Sequence, residues 1–326
     1  MLIVDPKDDL FHRTPLMHKI SLVWREHIYI NVYDRNLGFA AVHHFQFIPS
    51  EGKGLFNCVY IHGDTIERYS NRAEIPKDIQ NMRKMMDGTL SVELVEPKKK
   101  LRVQFIGKKF NSDLHYDGRY EVFDYKQCPE AGYSPLGQIG RFPLPYNHLV
   151  QGLNVTGSIE INGKAHKLDA IANRDHSWGL RNELVFEWHY WTGVNFKDRF
   201  LNFTCIKDIT AEPPIKHGGG ICSEKGNIAI RRCDVREDPP GADVPKHIYY
   251  ELEDVTGKVH KLVFHSGEAL GPVWFPNRPV ESGLVYEMLD LWGKWTDETT
   301  GEVGWGLNEV GRMRTEAEAK HHDYAK

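Results

Sequence analysis

The chain has 326 residues, 40% hydrophobic and 11% aromatic, enough to build one large or two ordinary cores. A net charge of −4 removes the electrostatic reason to expect a nucleic-acid partner, and no apolar run approaches the roughly 20 residues of a membrane span. The five cysteines are odd in number, form no C-x-x-C pair and follow an amino terminus without a signal-peptide pattern, so free thiols in the cytoplasm are expected.

The first ~20 residues read as an irregular lead-in. Strands are predicted over 28–33, 39–48, 57–62, 90–95, 101–106 and 120–125, with Asp34 to Gly38 as a turn. Between them, 78–86 is the one internal stretch with helical character. Residues 126–147 are rich in Gly and Pro without periodicity and read as a loop crossing between two halves. A hairpin follows: 155–161 and 165–172 flank Asn162-Gly163, the preferred pair for a two-residue turn with positive φ. Further strands are predicted over 184–194, 199–206, 227–233, 247–253, 259–265, 284–291 and 304–310, with 211–220 as a Pro/Gly loop and 315–320 as a terminal helical turn. Many short strands at regular spacing argue an all-β fold of barrels or sandwiches. No G-x-G-x-x-G follows a strand, so no nicotinamide or flavin cofactor is expected.

The segment Asn173-Arg174-Asp175-His176-Ser177-Trp178-Gly179-Leu180-Arg181 concentrates charge between two apolar strands. Burying such groups is costly unless they pair, so they either satisfy one another or act on a ligand. The Asp, His and Ser are chain neighbours and cannot form a hydrolase triad. On a strand Asp175 and Ser177 share one face, and Arg174, His176 and Trp178 the other. In 184–191, Glu187, His189 and Trp191 share one face, suited to a ligand pocket or to water, while Phe186, Trp188 and Tyr190 form an aromatic core face. The seventeen histidines include no H-x-x-x-H or H-E-x-x-H, so no metal site is expected.

The motif R-D-H-S-W-G-x-R after a V-x-G-x-I-x-I-N-G hairpin resembles the AttH-like superfamily, which includes hydroxyneurosporene synthase (carotenoid 1,2-hydratase). It is most similar to an uncharacterised bacterial branch of that group. Trp24-Arg25-Glu26, Tyr29, Asp34, Gly38 and Pro49-x-x-Gly52 resemble the opening of the family's first domain, and 301–309 its closing strand. The resemblance implies two lipocalin-like antiparallel β domains, placed at 1–145 and 146–326, with a cavity for an apolar ligand. Ser177 stands where the hydratase branch carries asparagine, and related folds include pericyclases, so the fold names no single chemistry.

In an apolar cavity a carboxyl group can serve as general acid, which makes Asp175 the first catalytic candidate and His176 the second. Asp175 can equally be an anchor for Arg174 or Arg181. Arg174, Trp178, Arg181, Glu187, His189 and Trp191 are candidate substrate-binding residues, joined by Glu26 and His44 because the family's opening motif falls there. The expected function is a cofactor-independent hydratase, isomerase or lyase acting on a hydrophobic terpenoid, polyketide or aromatic molecule. The second expectation is a non-catalytic carrier of such a ligand. A homodimer is left open.

Overall fold

The computed structural model describes residues 3–12, 24–48, 52–75, 83–129, 138–139, 142–143, 146–180, 186–209, 214–275, 278–279 and 283–319. Among them there is no α-helix, only two 3₁₀ turns at Pro6–Asp9 and Tyr125–Gln127. The strands in chain order are β1 (Trp24–Asp34), β2 (Phe39–Ile48), β3 (Lys53–His62), β4 (Thr65–Glu74), β5 (Lys84–Met86), β6 (Leu90–Glu96), β7 (Lys100–Ile106), β8 (Phe110–Gly118), β9 (Phe123–Asp124), β10 (Gln138–Ile139), β11 (Phe142–Pro143), β12 (Tyr146–Ile161) and β13 (Lys164–Leu180). They continue with β14 (Phe186–Asn195), β15 (Phe200–Asp208), β16 (Ile215–Ser223), β17 (Gly226–Asp238), β18 (His247–Asp254), β19 (Val259–Trp274), β20 (Arg278–Pro279), β21 (Leu284–Asp297) and β22 (Val303–Thr315). The all-β class holds, and the domains are of lipocalin-like type.

The chain divides into two compact units. The first holds Met1–Asp124, Pro145–Arg181 and Cys222–Asn227, and the second Tyr125–Leu144, Asn182–Ile221 and Ile228–Lys326. The long hairpin β12–β13, assigned from sequence to the second domain, is hydrogen-bonded into the first sheet between β1 and β8. Sequence punctuation placed the boundary at the Gly/Pro stretch. Ladder pairing overrides it, because β13 supplies the partner that β1 needs for its second edge.

The first sheet runs β4-β3-β2-β1-β13-β12-β8-β7-β6-β5. It curls until Tyr60 of β3 stacks on Phe105 of β7 at 4.9 Å, and Tyr60 also bonds Ser112 of β8 at 2.7 Å. The enclosed core takes one side chain in two from each strand: Ile28, Ile30 and Val32 from β1, Leu153 and Val155 from β12. The second unit is a nine-stranded sheet in which β19 also pairs β21, closing a barrel and leaving β20 outside it. Its interior is aromatic, with Phe203, Tyr250, Phe264 and Trp295 in mutual contact.

The predicted turn at Asn162-Gly163 has positive φ at both residues, 49° and 81°. Other expectations change. Residues 84–86 form a strand that buries Met85 alone, and 76–82 lie outside the described residues. Only Phe123–Asp124 of the strand expected over 120–125 pairs. Strands β4, β8 and β16 were not anticipated, since charged, Asn/Asp-rich and glycine-rich stretches imitate turns. In β16 the glycines serve close approach: a Cβ on Gly219, at φ +144°, would sit 2.2 Å from the Asn202 carbonyl oxygen.

Candidate functional site

Strand β13 carries the charged motif as a fully extended segment, so its alternate side chains enter two separate environments on opposite faces of the sheet. On the core face, Arg174 donates from Nη1 and Nη2 to the two carboxylate oxygens of Asp9, at 2.6 and 2.9 Å, and from Nε to Gln151 at 3.0 Å. Gln151 is held in turn by its amide donating to the carbonyls of Lys98 and Tyr120, both at 2.8 Å. His176 reaches Asp9 from Nδ1 at 3.3 Å and Glu26 from Nε2 at 2.9 Å. Glu26 also accepts from the His12 backbone at 2.9 and 3.0 Å and lies 3.1 Å from His12 Nδ1. The His12 ring stacks on Trp178 at 4.0 Å.

This network is buried and its charges balance. Burial works against the charge of Asp9, but Arg174 and the hydrogen bond from His176 hold its carboxyl well below the usual range. Burial likewise opposes the charge of Glu26, and bonds from His12 and His176 outweigh it, lowering its pKa. Burial disfavours an imidazolium at His176, yet bonds to Asp9 and Glu26 push its pKa up to about 9. Two carboxylates thus face one guanidinium and one imidazolium.

The consequence corrects part of the sequence reading. His176 is 0% exposed with both ring nitrogens engaged, so it is not placed to touch an organic substrate. Arg174 and Glu26 are equally enclosed, and Trp178 packs with Val4, Trp24, Val122 and Leu149. The anchor of Arg174 is Asp9, not Asp175, because Asp175 points to the other face.

That other face is a polar grid. Register across β2, β1, β13 and β12 sets Gln46, His27, Ser177 and His148 in one row and His44, Tyr29, Asp175 and Val150 in the next. Asn31 and Asn173 stand opposite each other in a third. Asp175, 14% exposed, lies 2.6 Å from Nε2 of the buried His148, its diagonal neighbour. The Gln46 amide donates to His27 Nε2 at 3.2 Å, so His27 carries its proton on Nδ1 and donates it to His44 Nε2 at 2.8 Å. The two rings stack at 5.0 Å, and Tyr29 meets His44 edge-on at 6.0 Å. Tyr29, His44 and Asp175 form a partly open row of phenol, imidazole and carboxylate. Phenol, imidazole and carboxylate are residue types able to exchange protons.

The family profile described as a domain of unknown function, DUF7064, matches residues 5–314. The chain belongs to the DUF7064 family. No curated protein matches it in sequence. Its fold is similar to that of kievitone hydratase from Nectria haematococca, with a TM-score of 0.60 and 12% identity over 88% of each chain. It is also similar to an AttH-like protein from Nitrosomonas europaea, with a TM-score of 0.60 and 12% identity over 97% of this chain and 99% of the other. The DUF7064 chain thus shares the fold of these two proteins.

In the second unit of the DUF7064 chain, a bulge between Phe186 and Trp188 alters the predicted faces. Glu187 is the extra residue and pairs with Lys207 at 2.7 Å, nearly half exposed. Phe186 therefore falls on the His189 side, against Ile206 and Tyr286, while Trp188 and Tyr190 keep the barrel core. His189 bridges Tyr286, 2.5 Å from Nδ1, and Glu309, 2.7 Å from Nε2. Trp191 is buried on the same face, opposite Glu309 in the register. Arg181 lies outside the described residues.

Of the sequence-predicted residues, Asp175 and His44 fall in one row of the grid, on either side of Tyr29. His27, Tyr29 and His148 were missed. The alternation His27-Ile28-Tyr29-Ile30 was a usable signal for the first two, since it puts polar groups opposite a core face. Nothing local marks Asp9, His12 or Gln151.

Proposed function

We propose that this chain is an enzyme that adds water to, or isomerises, an apolar small molecule by acid–base chemistry centred on Asp175. The observation that carries this is the Asp175 carboxylate, 14% exposed, 2.6 Å from buried His148 and in one row with Tyr29 and His44. His148 positions the carboxylate. In its acid form Asp175 delivers a proton to a carbon–carbon double bond, and water adds to the electron-poor carbon that results. The water's proton returns to Asp175, directly or relayed through His44, which restores the acid form, so the net change is addition of one water. The fold's likeness to a protein described as kievitone hydratase supports this direction without naming a substrate.

A terpenoid, polyketide or aromatic compound fits the apolar character expected of the ligand, and hydration is favoured over isomerase or lyase chemistry by that likeness alone. A carrier of the same ligand is the second reading. The test is incubation of the purified chain with apolar alkenes and enones, kievitone among them, in ¹⁸O-labelled water. Mass spectrometry should show a labelled product one water heavier with wild type and none with Asp175→Asn. Ligand bound without conversion by wild type would favour the carrier.

A further inference from the structure

The core-face network holds more than its charges require. Asp9 and Glu26 are already matched by Arg174 and His176, yet His12 brings a third nitrogen to the same Glu26 oxygen that His176 bonds. One ligand-type atom from each of His12, Glu26 and His176 lies within 4.8 Å of the other two. Glu26 Oε1 is 3.1 Å from His12 Nδ1 and 2.9 Å from His176 Nε2. Donors bound at about 2.0–2.2 Å around a tetrahedral ion stand roughly 3.3 Å apart, so small rotations of these side chains would admit one.

The surroundings have the character of an outer shell. The far nitrogen of His176 faces the Asp9 carboxylate at 3.3 Å, the arrangement that fixes ring orientation at metal-bound histidines. Asp9 is clamped by both Arg174 nitrogens, and Arg174 by Gln151. His12 is fixed by its stack on Trp178 and is the one partly exposed member, with 23% of its side chain accessible. Ion and water would enter from that side, with the coordination position beside His12 left open.

We propose that His12, Glu26 and His176 form a binding site for a divalent first-row transition metal, with zinc the first choice for two imidazoles and a carboxylate. Ligation uses the lone pair of a neutral His176 Nε2, so the proton it shares with Glu26 leaves to solvent as the ion arrives. Asp9, Glu26, Arg174 and a divalent ion then sum to one positive charge, which a bound hydroxide would cancel. The ion would tie the amino-terminal segment to β1 and β13. It lies on the opposite face of β13 from Asp175, and the inference does not depend on the proposed activity.

The full chain, stripped with chelator and dialysed, is to be titrated with zinc chloride and, separately, cobalt chloride. One equivalent bound at micromolar affinity, a cobalt visible spectrum of low-coordinate type and a melting temperature that rises with zinc are expected. His12→Ala removes the most exposed ligand and should lower affinity at least tenfold while the apo protein stays folded; Glu26→Gln should do the same. Absence of stoichiometric binding by wild type would overturn the proposal and leave an ion-pair cluster. Binding that survives unchanged in His12→Ala would overturn it equally, placing the ion elsewhere.

Discussion

Asp9→Asn separates the two faces of β13. The substitution keeps the shape of the side chain but removes the charge that both Arg174 nitrogens and His176 address at 2.6, 2.9 and 3.3 Å. Asp9 and Arg174 are each about 1% exposed, so water cannot replace the lost partner. Removing one member of a buried pair strands the other and costs about 3–5 kcal/mol. At roughly 2–4 °C per kcal/mol this is a fall in melting temperature of about 6–20 °C. Asp175→Asn is the internal comparison. Its carboxylate is partly open to water, which can solvate the amide that replaces it, so about 1 kcal/mol, or roughly 2–4 °C, is expected. The assay is thermal unfolding of both variants by circular dichroism in the same buffer. A melting temperature for Asp9→Asn within 2 °C of wild type, or a larger fall for Asp175→Asn, would refute the assignment of Arg174 to Asp9.

Stability of the metal-free protein should be bounded on both sides of pH. The pKa values of Asp9 and Glu26 are lowered, so their contribution is present above the usual carboxylate range near pH 4 and is lost as pH falls below it. That of His176 is raised to about 9, so its contribution is full below about pH 6.5 and lost as pH climbs through 9; melting temperature against pH should show the alkaline fall in wild type and not in His176→Gln. Gly219→Ala should lower stability by about 1–3 kcal/mol or more, read by urea unfolding, because the new methyl meets the Asn202 carbonyl at 2.2 Å in a positive-φ position. Tyr60→Phe leaves buried His43 and Ser112 without the hydroxyl that bridges them at 2.7 Å each, and a loss of about 1–3 kcal/mol is expected in the same measurement. A Tyr60→Phe variant as stable as wild type would mean those groups find other partners.

Local pattern alone was enough for the all-β class, the Asn162-Gly163 hairpin and the alternation of the motif on β13, because side-chain period and turn chemistry are properties of a few adjacent residues. The same alternation correctly separated Asp175 and Ser177 from Arg174, His176 and Trp178. Which face met a core and which met a polar grid was not legible, since that depends on what packs over each face. Asp9 is separated from Arg174 by 165 positions and Glu26 from His176 by 150, and no spacing rule links them. The boundary at 145 and the face of Phe186 failed for a related reason: a ladder partner and a one-residue bulge are decided between strands. Sequence named the residues that had to be paired, and only the tertiary structure decided with what, because a buried charge is satisfied by whichever partner the sheet register brings within hydrogen-bond reach.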